Sequence, residues 1–364
     1  MILMNDFKAE PEELLTAQLK ATERVLRSGW YILGQEVKAF ESAWAKRCNT
    51  KESVAVANGM DAIEIALRAL RIGEGDEVIT TSMTAFASVL AIVRAGATPV
   101  LADIDPSTAI MSMDSVARCL SAKTKAVLLV HLYGQVPNMD LWKNFCKEKK
   151  IYLIEDCAQS HLAEWNGKVA GSFGEAGAYS FYPTKNLGAI GDAGALVTNS
   201  EKIAEMSRTL RNYGQSERYH HPELGLNSRM DELHAAILSE RLKWLDSFTE
   251  QRRVVAETYF SKISNSKIRL LTKPIERSNH VYHLFVLLSD QREQLVAHLN
   301  KRGVSSLSHY PVPIHKQKPC LDYKKDPAGL SLVEKHAKEC LSIPCHPQMT
   351  KQQIEQVIEA LNAF

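Results

Sequence analysis

The stretch YSFYPTKNLGAIGDAGALVT, which runs from Tyr179 to Thr198, contains a single ionisable amine, that of Lys185. Apolar and aromatic residues precede this lysine, and small residues with three glycines follow it. An ammonium group is costly to bury, so a lysine in such surroundings is either paired with a counter-charge or kept partly neutral. A neutral lysine amine is a nucleophile toward carbonyl groups. On this stretch alone, the alternative is that Lys185 lies at the surface of a turn, where most lysines are found.

Helical and extended patterns alternate on both sides of this stretch, through the first two thirds of the chain. Short continuous apolar runs such as AVLLVHLYG and IYLIEDC are separated by segments of helical periodicity such as MDLWKNFCKEKK. Only strands that are buried on both faces need apolar side chains on both sides. The pattern therefore predicts an α/β fold in which helices cover a mostly parallel sheet.

The alternation of helical and extended patterns ends at about residue 226. The segment RMDELHAAILSERLKWLDSFTEQRRVVAETYFSKI has a continuous helical pattern, and it is expected to lead from a large domain (residues 1–226) into a smaller one (residues 227–364). In the smaller part, HVYHLFVLLS is predicted as a strand, REQLVAHLNKRG as a helix, and further helices are expected after Pro327 and Pro347. No low-complexity linker separates the two parts, so we expect the domains to be packed together.

The composition excludes several classes of protein. With 364 residues, 45% hydrophobic and 24% charged, the chain has the composition of an ordinary globular protein, and its net charge of +2 gives no reason to expect a nucleic-acid or membrane partner. The first residues lack the pattern of a signal peptide, and no apolar stretch is long enough to span a bilayer. Seven cysteines without a C-x-x-C pair favour reduced thiols and a cytoplasmic location. The two histidines of HVYH lack further ligands nearby, so no metal site is expected.

Four features fall where strands of the predicted sheet end, which is the edge where ligands bind in open α/β folds. Gly59 lies in ANGMD, where a strand gives way to a helix whose first N–H groups favour an anion, although many such turns need glycine for steric reasons alone. Asp156 ends a buried strand and needs a cationic or donor partner, or it caps the next segment. Phe86 follows another strand and is either a platform for a flat ring or a core aromatic. Ser180 and Lys185 add a hydroxyl and an amine.

Together these groups are what pyridoxal phosphate requires: a phosphate cradle, a ring stack, an acid at the ring nitrogen and an imine-forming lysine. An aspartate keeps the pyridinium protonated, so that the ring accepts electrons from a substrate carbanion. This need connects Asp156 with Lys185.

Motifs distributed over almost the whole chain give a more specific indication. In order, they are SGWYILGQEVKAFE, VANGMDAIEIALRAL, IEDCAQSH, SFYPTKNLGAIGDAGALVTN, RNYGQ, GLNSRMDELHAAIL and HYPVPIH. With these motifs, the chain resembles the DegT/StrS family of sugar aminotransferases, which use pyridoxal phosphate on fold type I. The resemblance implies a large domain with a mostly parallel central sheet and a smaller C-terminal α/β domain.

The resemblance also implies roles for the matching positions around the cofactor. Lys185 is expected to form the imine with the cofactor, Asp156 to pair with the pyridinium, and Gln159 to lie near the phenolic oxygen. The remaining expected cofactor contacts are Gly59, Met60 and Ser180 for the phosphate, Phe86 for the ring, and Asn227 for the phosphate in the neighbouring subunit. At Met60 many relatives have threonine, and a contact through the backbone N–H survives that change whereas a side-chain contact does not.

Because Asn227 is expected to reach across an interface, the resemblance implies a homodimer with shared active sites. The positions expected to contact the substrate are Tyr31, His309, Tyr310 and His315. The last three lie in SHYPVPIH, a segment stiffened by two prolines, and the alternative for it is a rigid surface loop with incidental histidines.

The implied reaction transfers an amino group from L-glutamate to a dTDP-linked keto-6-deoxyhexose in O-antigen or other glycan biosynthesis. Motifs such as VANGMDAI and GDAGALVT resemble those of enzymes that aminate C-3. Amination at C-4 is the alternative, and many C-4 enzymes have GEGGA in place of GDAGA. A sugar dehydratase on the same fold is a rival, but in that branch a histidine resembles the lysine position. A non-catalytic sensor is the other rival, and the presence of both Lys185 and Asp156 disfavours it.

Overall fold

The computed structural model describes residues 1–364 and contains twelve strands and twelve α-helices. The strands are β1 Glu52–Val56, β2 Glu77–Thr81, β3 Thr98–Ala102, β4 Thr124–Val130, β5 Tyr152–Asp156, β6 Glu164–Trp165, β7 Lys168–Val169, β8 Ala176–Ser180, β9 Gly194–Thr198, β10 Arg269–Leu270, β11 Phe285–Leu288 and β12 Cys340–Ile343. The helices are α1 Glu12–Ser28, α2 Gln35–Cys48, α3 Gly59–Ala69, α4 Phe86–Arg94, α5 Met113–Cys119, α6 Met139–Lys149, α7 Glu201–Arg211, α8 Glu232–Leu242, α9 Leu245–Lys262, α10 Arg292–Lys301, α11 Ser331–Glu339 and α12 Lys351–Asn362.

Seven strands form the central sheet in the order β1-β9-β8-β5-β4-β2-β3. Parallel pairing connects β8, β5, β4, β2 and β3, whereas β9 is antiparallel to both β8 and β1. Six strands therefore run in one direction, with β9 alone reversed. Their side chains are almost all buried on both faces, which confirms the predicted α/β fold with a mostly parallel sheet.

This common direction brings the carboxyl ends of distant strands to one edge of the sheet. Strand β5 ends at Asp156 and β8 at Ser180, while β1 leads through Asn58 into α3 and β2 leads into α4 at Phe86. Strand β9, the reversed one, begins at the same edge. The sequence order of these groups is scattered, but the sheet topology makes them neighbours.

A second, smaller sheet is antiparallel and has the order β10-β11-β12. Its own apolar cluster includes Tyr259 from α9, Phe285 from β11 and Val357 from α12. Ile2 at the N-terminal end also belongs to this cluster and pairs with Val304. The N-terminal residues thus pack with the smaller C-terminal part, across the predicted division at residue 226.

A segment of the C-terminal part crosses that division in the other direction. Lys325 bridges Leu101 at the edge strand β3, and the Leu101 N–H donates to the carbonyl of Lys324 at 2.9 Å. This pairing covers part of a sheet edge that would otherwise be open. The two parts are packed together through such contacts.

Two predicted elements differ from those observed. The continuous helical pattern after residue 228 forms two helices, α8 and α9, because the N–H groups of Lys243 and Trp244 donate to carbonyls three residues back and tighten the chain there. The strand predicted from HVYHLFVLLS is shorter, so that His280 and His283 precede β11 in an irregular segment.

None of the helices has the length and apolar composition needed to cross a membrane. All seven cysteines are buried, and none forms a disulfide.

Candidate active site

The N-terminus of α3 forms a narrow cradle against the end of β8. A Cβ atom added to Gly59 would lie 2.6 Å from the Cβ of Ser180, so only glycine allows this approach. The Asn58 side chain caps the helix by accepting the N–H of Asp61 at 2.8 Å. The N–H groups of Gly59 and Met60 precede any intrahelical bond and have no acceptor in the protein. They remain available to an anion, and the helix dipole favours one.

Met60 contributes only its backbone to this cradle. Its side chain is half-buried and packs against the apolar cluster beneath α3. A contact made through the Met60 N–H does not need the threonine hydroxyl of the relatives, which supports the backbone contact considered from the sequence.

Asp156 presents a buried carboxylate at the end of β5. Its Oδ2 accepts from the Ser88 hydroxyl at 2.7 Å, and its Oδ1 accepts from the Ala158 N–H at 3.1 Å. Neither donor is charged, so no direct ion pair neutralises this carboxylate, although Asp156 is only 5% exposed. A buried carboxylate of this kind favours a cationic partner at its free lone pairs.

Lys185 lies in the turn that follows β8, with its backbone N–H bonded to the carbonyl of Tyr182 at 2.8 Å. The residue is half-buried, and loss of water around the amine lowers its pKa from 10.5 to about 8. The negative charge of Asp156 acts in the opposite direction and raises the pKa, but burial dominates. The amine is therefore partly neutral near physiological pH, as expected for a lysine that reacts with a carbonyl group.

Gln159 joins the two parts of the chain at this site. Its Oε1 accepts the N–H of Tyr133 at 2.6 Å, and its Nε2 donates to the hydroxyl of Tyr310 at 3.3 Å. The Tyr133 hydroxyl in turn donates to the carbonyl of His309 at 2.6 Å. These bonds hold the His309–Tyr310 segment beside Gln159. Burial raises the pKa of the Tyr310 phenol to about 12, and the negative charge of Asp156 acts in the same direction.

The charge of Lys185 acts on three histidines, and burial keeps these histidines neutral at physiological pH. Burial, with the positive charge of Lys185, lowers the pKa of His161 to about 3, that of His309 to about 4, and that of His283 well below its ordinary value. A ring nitrogen of His161 bonds the Ser180 carbonyl at 2.9 Å, and one of His283 lies 3.3 Å from Oδ1 of Asn186. The three neutral rings therefore add no positive charge that would oppose the one on the amine.

Three other predicted residues, Phe86, Tyr31 and Asn227, form no side-chain hydrogen bond with this group. Phe86 begins α4 at the same edge of the sheet and is 39% exposed. Tyr31 and Asn227 are exposed, and Asn227 pairs with Asn212 in a short bridge. The backbone near Tyr31 is fixed by the segment after Asn227, because the Glu232 N–H donates to the Tyr31 carbonyl at 3.0 Å. Neither the Tyr31 nor the Asn227 side chain forms a hydrogen bond within the subunit, and their roles at the site remain predictions.

His315 is buried, and both of its ring nitrogens have partners. Nδ1 lies 2.7 Å from the Ser82 hydroxyl after β2, and Nε2 lies 3.1 Å from the Glu334 carboxylate in α11. A contact between this ring and a substrate would require one of these bonds to be exchanged. Its role as a substrate contact remains a prediction, and its contacts support a role in holding the SHYPVPIH segment on the large domain.

Ser88, Tyr133 and His283 contact the site but were not identified from the sequence. Ser88 lies on a helix face whose sequence pattern predicts core packing, and Tyr133 follows a buried strand in an apolar run. His283 was considered only as a metal ligand. No local pattern marked these three residues, since each acquires its contact through a segment far away in the chain.

The groups at this edge fit pyridoxal phosphate. The uncovered N–H groups of α3 and the Ser180 hydroxyl suit its phosphate, the buried carboxylate suits a protonated ring nitrogen, and the dehydrated amine suits its aldehyde. The role of each individual residue toward the cofactor remains a prediction.

Comparisons with known proteins agree with this arrangement. The chain is 40% identical over 365 residues to a "Pleiotropic regulatory protein" of Geobacillus stearothermophilus, covering 99% of this chain and 98% of the relative. It is 44% identical over 345 residues to a "dTDP-3-amino-3,6-dideoxy-alpha-D-galactopyranose transaminase" of Aneurinibacillus thermoaerophilus, covering 95% and 94%.

The crystal structure of DesV from S. venezuelae, in complex with a ketimine intermediate, superimposes with a TM-score of 0.96 at 39% identity and covers 100% of this chain and 98% of that one. The family model described as "DegT/DnrJ/EryC1/StrS aminotransferase family" matches residues 13–362, and the chain belongs to this family.

Proposed function

We propose that the protein transfers the amino group of L-glutamate to the C-3 keto carbon of a dTDP-linked 3-keto-6-deoxyhexose. Family membership confirms the aminotransferase class and the pyridoxal phosphate cofactor predicted from the sequence. The donor, the sugar and the carbon that receives the amine are the proposed part. The convergence of the half-buried Lys185 amine, the Asp156 carboxylate and the α3 N-terminus carries the proposal.

Two observations support a dTDP-linked sugar aminated at C-3. The Aneurinibacillus relative, 44% identical, carries that nucleotide and that position in its name. The chain also has GDAGALVT after the lysine, where many C-4 enzymes have GEGGA. Amination at C-4 is the alternative, and use of the product in O-antigen or another glycan remains a prediction.

Different residues of the chain would transfer protons, hold the proton on the cofactor ring and bind the phosphate. Pyridoxal phosphate, when bound, supplies an electron sink for a carbanion at the carbon that carries the amino group. Nζ of Lys185, partly neutral at a pKa of about 8, would take a proton from that carbon and return one elsewhere. The Asp156 carboxylate would hold the proton on the ring nitrogen, and the N–H groups of Gly59 and Met60 would bind the phosphate.

We also propose that two copies of the chain form a dimer with shared sites. Leu15, Leu19 and Leu26 are 48%, 62% and 60% exposed, and their spacing puts them on one face of α1. A different face of α1, with Ala21 and Val25, packs on α8. The exposed leucines continue toward the exposed Trp30 and Tyr31, and a second copy is the partner that would cover them and bring Asn227 to a neighbouring site.

The dehydratase rival is disfavoured because a lysine occupies the position where that branch has a histidine. The regulatory name of the Geobacillus relative keeps a sensor as the second candidate. The aminotransferase and the sensor differ in turnover, because a sensor needs the ligand site but no proton transfer at Lys185.

Separate half-reactions test the proposed function. Borohydride should fix the cofactor to Lys185, as identified by peptide mapping, and L-glutamate should convert the absorbance of the bound cofactor to that of its amine form. dTDP-3-keto and dTDP-4-keto sugars, added side by side, should then reverse that change, the 3-keto sugar faster. A faster reaction with the 4-keto sugar would move the amination to C-4, and no spectral change with glutamate or either sugar would favour the sensor.

A further inference from the structure

A directed chain of hydroxyl groups ends on the Asp156 carboxylate. The Ser88 hydroxyl donates to Oδ2 of Asp156 at 2.7 Å, and Oγ1 of Thr84 lies 2.9 Å from the Ser88 oxygen. A carboxylate only accepts, so Ser88 uses its single proton for Asp156 and must accept from Thr84. The direction of the chain is therefore fixed as Thr84 to Ser88 to Asp156. All three residues are at most 5% exposed, so water does not replace these bonds.

The orientation of Ser88 differs from that of an ordinary helical serine. Buried serines in helices commonly donate to the carbonyl four residues back, as Ser207 in α7 does with the Ile203 carbonyl at 2.7 Å. Ser88 in α4 instead donates across to β5, 68 residues away in sequence. Its bond connects the helix that begins with Phe86 to the strand that ends with Asp156.

The bond also fixes the carboxylate in rotation. Oδ1 is held by the Ala158 N–H at 3.1 Å and Oδ2 by Ser88, so both oxygens are constrained and each keeps a lone pair free. A donor to an ionised group is among the stronger hydrogen bonds, and a chain of hydroxyls polarises its last member. The Asp156 carboxylate is thereby stabilised in its charged form and held in one orientation.

We propose that the Ser88 hydroxyl, oriented by Thr84, is a positioning group that holds the Asp156 carboxylate against the protonated ring nitrogen of the cofactor. The proposal rests on the predicted pairing of Asp156 with that nitrogen. Without the donor, the carboxylate turns more freely and its charge is less well stabilised, so its pairing with the ring weakens. The affinity for the ring and the protonation of its nitrogen should then decrease together.

Pyridoxamine 5′-phosphate, labelled with ¹⁵N in the ring and titrated into the apoprotein, tests the proposal without turnover. It binds without a covalent bond to Lys185, so calorimetry reports its contacts directly, and the ¹⁵N chemical shift reports whether the ring nitrogen is protonated. Ser88→Ala should weaken binding by about tenfold or more, as expected for a lost bond to a charged group, and should move the shift toward neutral pyridine. Ser88→Thr, which keeps a hydroxyl, should restore both.

Three further variants separate the possible outcomes. Ser207→Ala removes an equally buried helical hydroxyl away from the site and should change neither measurement. Thr84→Val keeps the side-chain shape and should give a smaller change in the same direction as Ser88→Ala, which preserves a test if the Ser88 variant fails to fold. Unchanged affinity and ¹⁵N shift in Ser88→Ala, or in Thr84→Val where the Ser88 variant does not fold, would overturn the proposal. Asp156→Asn shows which hypothesis is wrong in that case. If this variant alters both measurements, only the role of Ser88 is rejected. If it alters neither, the pairing of Asp156 with the ring nitrogen is rejected as well.

Discussion

The amine of Lys185 should titrate near pH 8 in the apoprotein. Burial lowers its pKa from 10.5 to about 8, against the opposing charge of Asp156. Since each pH unit is a factor of ten in the ratio of the two forms, the neutral fraction at pH 7 should be about 300-fold larger than for an ordinary lysine. This neutral fraction is what makes the amine a nucleophile and a proton carrier at cellular pH.

Pulse acetylation across pH 6.5–10.5 measures this titration. The label on the Lys185 peptide is quantified by mass spectrometry relative to Lys20, which is exposed on α1. The midpoint for Lys185 should lie near pH 8. Asp156→Asn should move it to lower pH, because the negative charge that favours the ammonium form is removed. A Lys185 midpoint near 10.5, the ordinary value, would refute the inference that burial dominates at this amine.

The same burial should appear in the stability of the apoprotein. Below pH 8 the folded protein carries a dehydrated ammonium group, and between pH 8 and 10.5 the unfolded chain binds more protons at this lysine than the folded one. The free energy of unfolding should therefore rise through this window by about 1–3 kcal/mol from Lys185 alone, the lower part of the range reflecting its partial exposure. Lys185→Met removes this contribution, so it should be more stable than wild type at pH 7, with a difference that shrinks as the pH rises to 10.5. A difference that stays constant over this range would contradict the assigned cause.

Three other predictions concern the phosphate cradle, the shared site and the SHYPVPIH segment. Gly59→Ala places a methyl group 2.6 Å from the Ser180 Cβ, so it should open the cradle and weaken binding of pyridoxal phosphate by at least about tenfold, measured by titration of the apoprotein; wild-type affinity would show that the phosphate binds elsewhere. Mixing inactive Lys185→Ala protein with an inactive Asn227→Ala protein that has lost cofactor binding should restore part of the activity after subunit exchange, and no recovery despite proven exchange would count against shared sites. His315→Ala should slow the nucleotide-sugar half-reaction more than the glutamate half-reaction, because it loosens the SHYPVPIH segment, whereas equal loss in both would assign His315 to general folding.

Much of the fold was predictable because it depends on local patterns. Short runs apolar on both faces, such as the one that ends at Asp156, indicate buried strands, and these alternate with amphipathic helices. Gly29 ends α1 with a φ of 66°, as the glycine after a helical pattern indicates. The break between α8 and α9 was not predictable, since Lys243 and Trp244 are neither glycine nor proline.

The predicted cofactor residues were also accessible from the sequence, since chemistry restricts their types and strand ends restrict their places. A lysine among small and apolar residues and an aspartate closing a buried strand are unusual enough to be noticed together. The family motifs then assigned roles to positions such as Gln159 and Asn227, which carry no local signal of their own.

Local patterns in the sequence thus predict the α/β class, most helices and strands, and the residue types at the ends of strands. The contacts between distant side chains are visible in the folded chain alone: Ser88 with Asp156, Tyr133 with both Gln159 and His309, and His315 with Ser82 and Glu334. The reason is that a hydrogen bond between remote segments depends on strand order, strand direction and the docking of the C-terminal part against the sheet. Local spacing records none of these, because many pairings of the same strands would satisfy the same apolar pattern.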